Sequence, residues 1–197
     1  MSDMLSINPR QSALLVMDYQ NVLIDHYVPG DQVESVLSNI AGLIEAARSA
    51  SMLIIHVMVA FRHGHPEVSR RNRLFSLLKD SGLLSRDRAD TELHPIVAPA
   101  ENEPVVIKHR VGAFTGTDLE TLLRSNGIES LVLAGITTGG VVLSTTRQAF
   151  DMDYRIVVAE DCCADSDRHT HQSLLEKAIQ QHAEIVSAKQ IIDALSG

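Results

Sequence analysis

The stretch Leu131-Val132-Leu133-Ala134-Gly135-Ile136-Thr137-Thr138-Gly139-Gly140-Val141-Val142-Leu143-Ser144 decides how this chain is read. Its first part is an unbroken apolar run of strand length, as expected of a strand buried on both faces of a parallel sheet. Two threonines and two glycines then make a tight turn, and Val141 opens a helix predicted to run to Met152. Adjacent glycines allow a ligand close to the backbone. The first N–H groups of a helix have no partner within it, so the turn is a candidate oxyanion site. Plain strand-to-helix turns in α/β proteins share this pattern.

Working outward, the same grammar repeats. Ala13-Leu14-Leu15-Val16-Met17 is a second buried run and ends at Asp18. Met52–Val59 is a third, Pro104–Ile107 a fourth that ends at Lys108, and Arg155–Ala159 and Ala183–Val186 complete six. Between them, Val33, Val36, Leu37, Ile40, Leu43, Ile44 and Ala47 recur at helical spacing within Gln32–Ala50. Further helices are predicted over Thr117–Ser125, with Thr117 as N-cap, over Asp167–Gln181 and over Ala188–Leu195. Residues 62–104 read as a long irregular insertion carrying a short helix at Arg73–Lys79. Strand–helix alternation predicts an α/β, three-layer αβα domain over residues 1–197, its sheet mostly parallel. In such sheets ligands bind outside the carboxyl ends of the strands. Asp18, Lys108 and the 137–141 turn all fall there.

The 197 residues carry a formal charge of -8, which disfavours a nucleic-acid groove. No apolar run is long enough to span a bilayer, and no basic amphipathic stretch points to a membrane surface. The amino-terminal Met1-Ser2-Asp3-Met4-Leu5 shows no secretory leader pattern. Cys162 and Cys163 are the two cysteines; neighbours in sequence pair poorly, and the count suits a reducing cytoplasm.

Asp18 is either a solvated strand-end carboxylate or an acid–base group tuned by apolar walls. Lys108, near it, can hold that carboxylate ionised, position a substrate or stabilise negative charge. His109 and Arg110 are weaker candidates, since strand side chains alternate. His56, His63, His65, Asp87 and His94 lack a compelling ligand spacing, so neither a metal nor a cofactor is expected. Cys162 and Cys163 read as packing residues, with Glu160 and Asp161 opposing a thiolate.

Together these segments resemble the isochorismatase-like cysteine hydrolases over nearly the whole chain. Asp18 with Tyr19-Gln20-Asn21 is similar to the family's first strand and catalytic aspartate. Lys108, followed by Phe114 and Thr117-Asp118-Leu119, is similar to the strand that delivers the catalytic lysine. Leu133-Ala134-Gly135-Ile136-Thr137-Thr138 resembles the turn before the nucleophile, and Thr145, Arg147, Ala149 and Val157–Asp165 resemble later segments. The resemblance implies six strands in the order 3-2-1-4-5-6, a non-proline cis peptide at Ile136–Thr137, and a homo-oligomer, dimer or larger. It puts Asp18 and Lys108 in catalytic roles. Gln20, Phe114, Thr137, Thr138, Gly140 and Val141 then stand as substrate or oxyanion contacts.

The same resemblance sets Val141 where most of the family carries a nucleophilic cysteine. Valine cannot attack a carbonyl. Family members that lack the cysteine cleave a vinyl ether, which needs an acid and water but no nucleophilic side chain. Two readings follow: a hydrolase of a small molecule with Asp18 as acid/base, or a non-catalytic binding or oligomeric partner protein on the same fold. Thr138, Ser144 and the two cysteines are weaker replacement nucleophiles, Thr138 for want of a partner base. Arg62, Arg70, Arg71 and Arg73 can bind a carboxylated substrate or form a solvated face.

Overall fold

Among the described residues, six strands form one wholly parallel sheet: β1 (Ser12–Met17), β2 (Leu53–Val59), β3 (Val105–Lys108), β4 (Ser130–Gly135), β5 (Arg155–Ala159) and β6 (Glu184–Val186). Their order is β3-β2-β1-β4-β5-β6, as the resemblance implied. The structure, a computed structural model, describes residues 5–196. The reading of residues 1–4 as free of a leader pattern lies outside the described residues.

The apolar runs become central strands because both sheet faces are covered. All six residues of β1 are buried. Leu14 and Val16 point into one apolar layer, Ala13, Leu15 and Met17 into the other. Complete burial of each such leucine contributes about 1.5–3 kcal/mol. Among the described residues the α-helices are α1 (Asn21–Tyr27), α2 (Val33–Ser49), α3 (Arg73–Ser81), α4 (Leu119–Ser125), α5 (Leu143–Phe150), α6 (Arg168–Lys177) and α7 (Ala188–Leu195). Ile40, Leu43 and Ile44 of α2 and Ile191 of α7 pack with Leu14 and Val16. Leu119 and Leu123 of α4, Ala149 of α5 and Leu175 of α6 pack with Leu15 and Met17.

Four local expectations change. α1 has no counterpart in the sequence reading, because a seven-residue helix shows barely two turns of periodicity. Segment 62–104 is more ordered than an irregular insertion: Phe75 of α3 and Leu84 join Val22, Val59 and Phe61 in a third apolar cluster. α4 starts at Leu119 with Asp118 as N-cap; the Thr117 hydroxyl donates to the Ala113 carbonyl at 2.7 Å and accepts the Leu119 N–H at 3.4 Å. The helix placed at Val141 begins earlier, as a π-type turn over Thr138–Val142 that runs into α5. The Ile136–Thr137 peptide is cis. Among the described residues, no helix is long and apolar enough to cross a membrane.

Candidate active site

Asp18 and Lys108 leave the carboxyl ends of β1 and β3, two strands that are not neighbours. β2 lies between them, a gap of about 9–10 Å at ordinary strand spacing. Lysine has the reach to cross it. Its Nζ lies 2.8 Å from Asp18 Oδ2, with the two residues only 2 % and 4 % exposed. Nζ also donates to the carbonyls of Arg110 and Val111, each at 3.0 Å. An ammonium has three N–H donors, so all three are engaged.

The carboxyl group is held asymmetrically. Asp18 sits in left-handed backbone at φ 61°, a conformation that aspartate and asparagine adopt more readily than other non-glycine residues. Its N–H donates to the Val57 carbonyl at 2.8 Å. Oδ2 carries the ion pair, while Oδ1 is buried without a hydrogen-bond partner. Burial raises the Asp18 pKa above the usual carboxylate value, against the opposing pull of Lys108.

The turn at the end of β4 is built by its glycines. A methyl group on Gly135 would stand 3.1 Å from Val141 Cγ1 and 3.0 Å from the Met17 carbonyl oxygen. One on Gly140 would stand 2.8 Å from Thr137 Oγ1, which accepts the Gly140 N–H at 3.1 Å. The Gly139 N–H donates to Asp165 Oδ2 at 2.8 Å and the Thr138 N–H to the Ala164 carbonyl at 2.9 Å. Val142 N–H reaches the Thr137 carbonyl at 3.2 Å. The N–H groups of Thr138, Gly139, Gly140 and Val142 thus have partners within the protein.

These elements wall a cavity of about 370 Å³ at the carboxyl edge of the sheet. Asp18, Lys108, Thr137, Gly140 and Val141 line it, as do Leu23 and Tyr27 of α1, Phe75 of α3, Asp165 and Thr170. Three expected contacts lie elsewhere. Gln20 is fully buried and tied to backbone: its amide donates to the carbonyls of Val59 and Thr91, and its oxygen accepts the Val59 N–H. Phe114 stacks on Tyr154 in the helix layer, with ring centroids 6.2 Å apart. Thr138 is fully buried, and its hydroxyl lies 2.7 Å from His171 Nδ1, a partner the sequence reading did not find. Arg62, Arg70, Arg71 and Arg73 are exposed and none lines the cavity; Arg62 pairs with Glu67 at 2.6 Å. Asp165 and the α1 residues were missed as wall residues. The only sequence signal for Asp165 was its place just beyond β5.

The histidines are dispersed. His56 binds Glu103 at 3.0 Å, His65 the Leu83 carbonyl at 2.7 Å, and His63 meets Asp87 at 3.2 Å on the surface. Among the described residues, no group of three or more His, Cys, Asp or Glu side chains is placed to hold a metal ion. Cys162 and Cys163 are buried and do not line the cavity. Burial pushes both thiols up, Cys163 to about 12.

A doubly wound α/β sheet with a buried Asp–Lys pair and a cavity at its carboxyl edge places the chain in the Rossmann-like fold class. The isochorismatase domain matches residues 12–190, and the chain belongs to the isochorismatase family. It is 29 % identical over 194 residues to the uncharacterized isochorismatase family protein YecD of Escherichia coli O157:H7, covering 98 % of this chain and 100 % of that protein. Among solved structures, an isochorismatase family protein from Burkholderia thailandensis is similar with a TM-score of 0.83 at 27 % identity, covering 99 % of this chain and all of the other. A cysteine hydrolase from Pseudomonas syringae pv. phaseolicola 1448A shares the fold, with a TM-score of 0.88 at 23 % identity over 100 % of this chain and 99 % of that one.

Proposed function

We propose that the protein hydrolyses a small molecule without a cysteine nucleophile, with water as the attacking group and Asp18 moving the proton. The observation that carries this reading is the divided carboxyl of Asp18, a residue that lines the cavity: Oδ2 is bound to Lys108, and Oδ1 is buried without a hydrogen-bond partner. A carboxyl oxygen without a side-chain or backbone partner is free to carry a proton or to accept a hydrogen bond from a ligand. Val141, in the position that the resemblance gives to the nucleophile, is inert. The two thiols are buried away from the cavity and held protonated.

Enol-ether cleavage fits this set of groups. In the acid form of Asp18 the proton is carried on Oδ1, since Oδ2 faces the Lys108 ammonium. It passes to the alkene carbon, whose π pair forms the new C–H bond and leaves an oxocarbenium ion. Water adds to the oxygen-bearing carbon of that ion and returns a proton to Asp18. The resulting hemiketal breaks its C–O bond to release a ketone and an alcohol. Lys108 positions Asp18 and stabilises its ionised form after the transfer. General acid–base assistance of this kind contributes about 10²–10⁴-fold. Direct attack of water on an amide or imide, with Asp18 as base, uses the same two groups.

The test is a turnover screen of the purified protein on isochorismate, uncharged enol ethers and small amides and imides, read by carbonyl or ammonia release, beside Asp18→Asn. Release that depends on Asp18 supports the reading. Ligand-induced stabilisation without any release would make the protein a binding module instead.

A further inference from the structure

We infer that the cavity selects an uncharged, apolar-bodied substrate and rejects carboxylated ones; this rests on the proposed hydrolase reading of the same site. The charges on its wall decide the matter. Among the described residues, the charged groups lining the cavity are Asp18, Asp165 and Lys108, two carboxylates and one cation. Lys108 has no donor to offer, because Asp18, Arg110 and Val111 take its three N–H groups.

A substrate carboxylate would enter beside Asp165 and the Asp18 carboxyl group and leave its water shell without gaining a free cationic donor. Burying an unpaired carboxylate is strongly unfavourable. The glycine N–H groups of the turn are already engaged: Gly139 N–H by Asp165 Oδ2 at 2.8 Å and Gly140 N–H by Thr137 Oγ1 at 3.1 Å. The arginines able to grip a carboxylate, Arg62 and Arg73 among them, are exposed and outside the wall.

What the wall does offer is apolar surface. Leu23 and Tyr27 come from one side, Phe75 and Leu78 from another, and Val141 lies at the turn. A ring or short alkyl chain can transfer from water onto these side chains at roughly 25 cal/mol per Å² buried. The one polar function it must carry is the group that meets Asp18.

Matched probes test this by binding as well as by turnover. Benzamide is compared with 4-carboxybenzamide, and 1-methoxycyclohexene with its 4-carboxylate, by titration calorimetry on the native protein and on Asp18→Asn. The expected result is that the neutral member of at least one pair binds and its carboxylate binds at least roughly tenfold more weakly, a difference of about 1.4 kcal/mol. On Leu74→Arg, a half-exposed cavity-wall position, the carboxylate should regain affinity. Equal or tighter binding of the carboxylates to the native protein, or binding of no probe, overturns the inference. Selective binding without turnover leaves the charge selection standing and defeats only the hydrolase reading.

Discussion

Lys108 reaches across β2 to place its Nζ 2.8 Å from Asp18 Oδ2, joining the ends of two non-adjacent strands inside the cavity wall. The pair leaves Asp18 Oδ1 without a partner. Most of the functional account follows from that asymmetry.

Asp18→Asn keeps the shape of the side chain and its tolerance of the left-handed backbone at φ 61°. It should fold with the native circular-dichroism spectrum and lose about 10²-fold or more of turnover. Because burial raises the Asp18 pKa, its acid form persists above the usual carboxylate range. Turnover that needs this acid should therefore decline on the alkaline side as Asp18 ionises.

Lys108→Met removes the cation and leaves a buried carboxyl with neither oxygen paired. Breaking such a pair from one side costs about 3–5 kcal/mol, which urea unfolding would register. Adding Asp18→Asn to Lys108→Met should restore part of that loss. The single variant should also shift the alkaline limb of any pH–rate profile upward, because the opposing pull of Lys108 on Asp18 is gone.

Val141→Cys conserves size and apolar character, so its stability cost should stay below about 1.5 kcal/mol. The new thiol lines the cavity, whereas Cys162 and Cys163 do not. Iodoacetamide at neutral pH should then label the variant once, at position 141, and leave the native protein unlabelled by intact-mass measurement.

Gly140→Ala forces a methyl group to 2.8 Å from Thr137 Oγ1 and disturbs the bond that caps the turn. A loss of about 1–3 kcal/mol is expected by denaturant unfolding, in the range of overpacking effects.

Acid stability should depend on Glu103. Hydrogen bonds from Arg48 hold its carboxyl down at about 2, from an ordinary 4.5. A depressed carboxylate contributes stability that is complete above pH 4.5 and lost as pH falls through 2. His56, lowered by burial, acts in the same direction: the unfolded chain takes up its proton near pH 6.5 and the folded one resists. Glu103→Gln should therefore be less stable at neutral pH, by about 2–3 kcal/mol, and its stability should vary less between pH 4.5 and 2. Unfolding midpoints measured across that range would show it.

The sheet was legible because buried parallel strands leave continuous apolar runs, and Leu14 to Met17 and Leu131 to Ala134 do so plainly. Asp18 and Lys108 were legible because each ends such a run. That they touch across β2 was not, since side-chain reach has no periodicity. Thr138 and Gln20 had the right neighbourhood in the chain, but the sequence could not say that backbone groups and His171 would occupy their polar atoms. The α1 wall and the small core under segment 62–104 depend on long-range packing of a few residues, such as Val22 on Phe61 and Phe75.

The most direct test of the central claim sets three proteins side by side on the neutral enol-ether and amide panel: native, Asp18→Asn, and Cys162→Ala with Cys163→Ala. The account predicts turnover in the native protein and in the cysteine-free variant, and its loss in Asp18→Asn. Turnover that survives in Asp18→Asn, or disappears with the two cysteines in a protein that still folds, would contradict it.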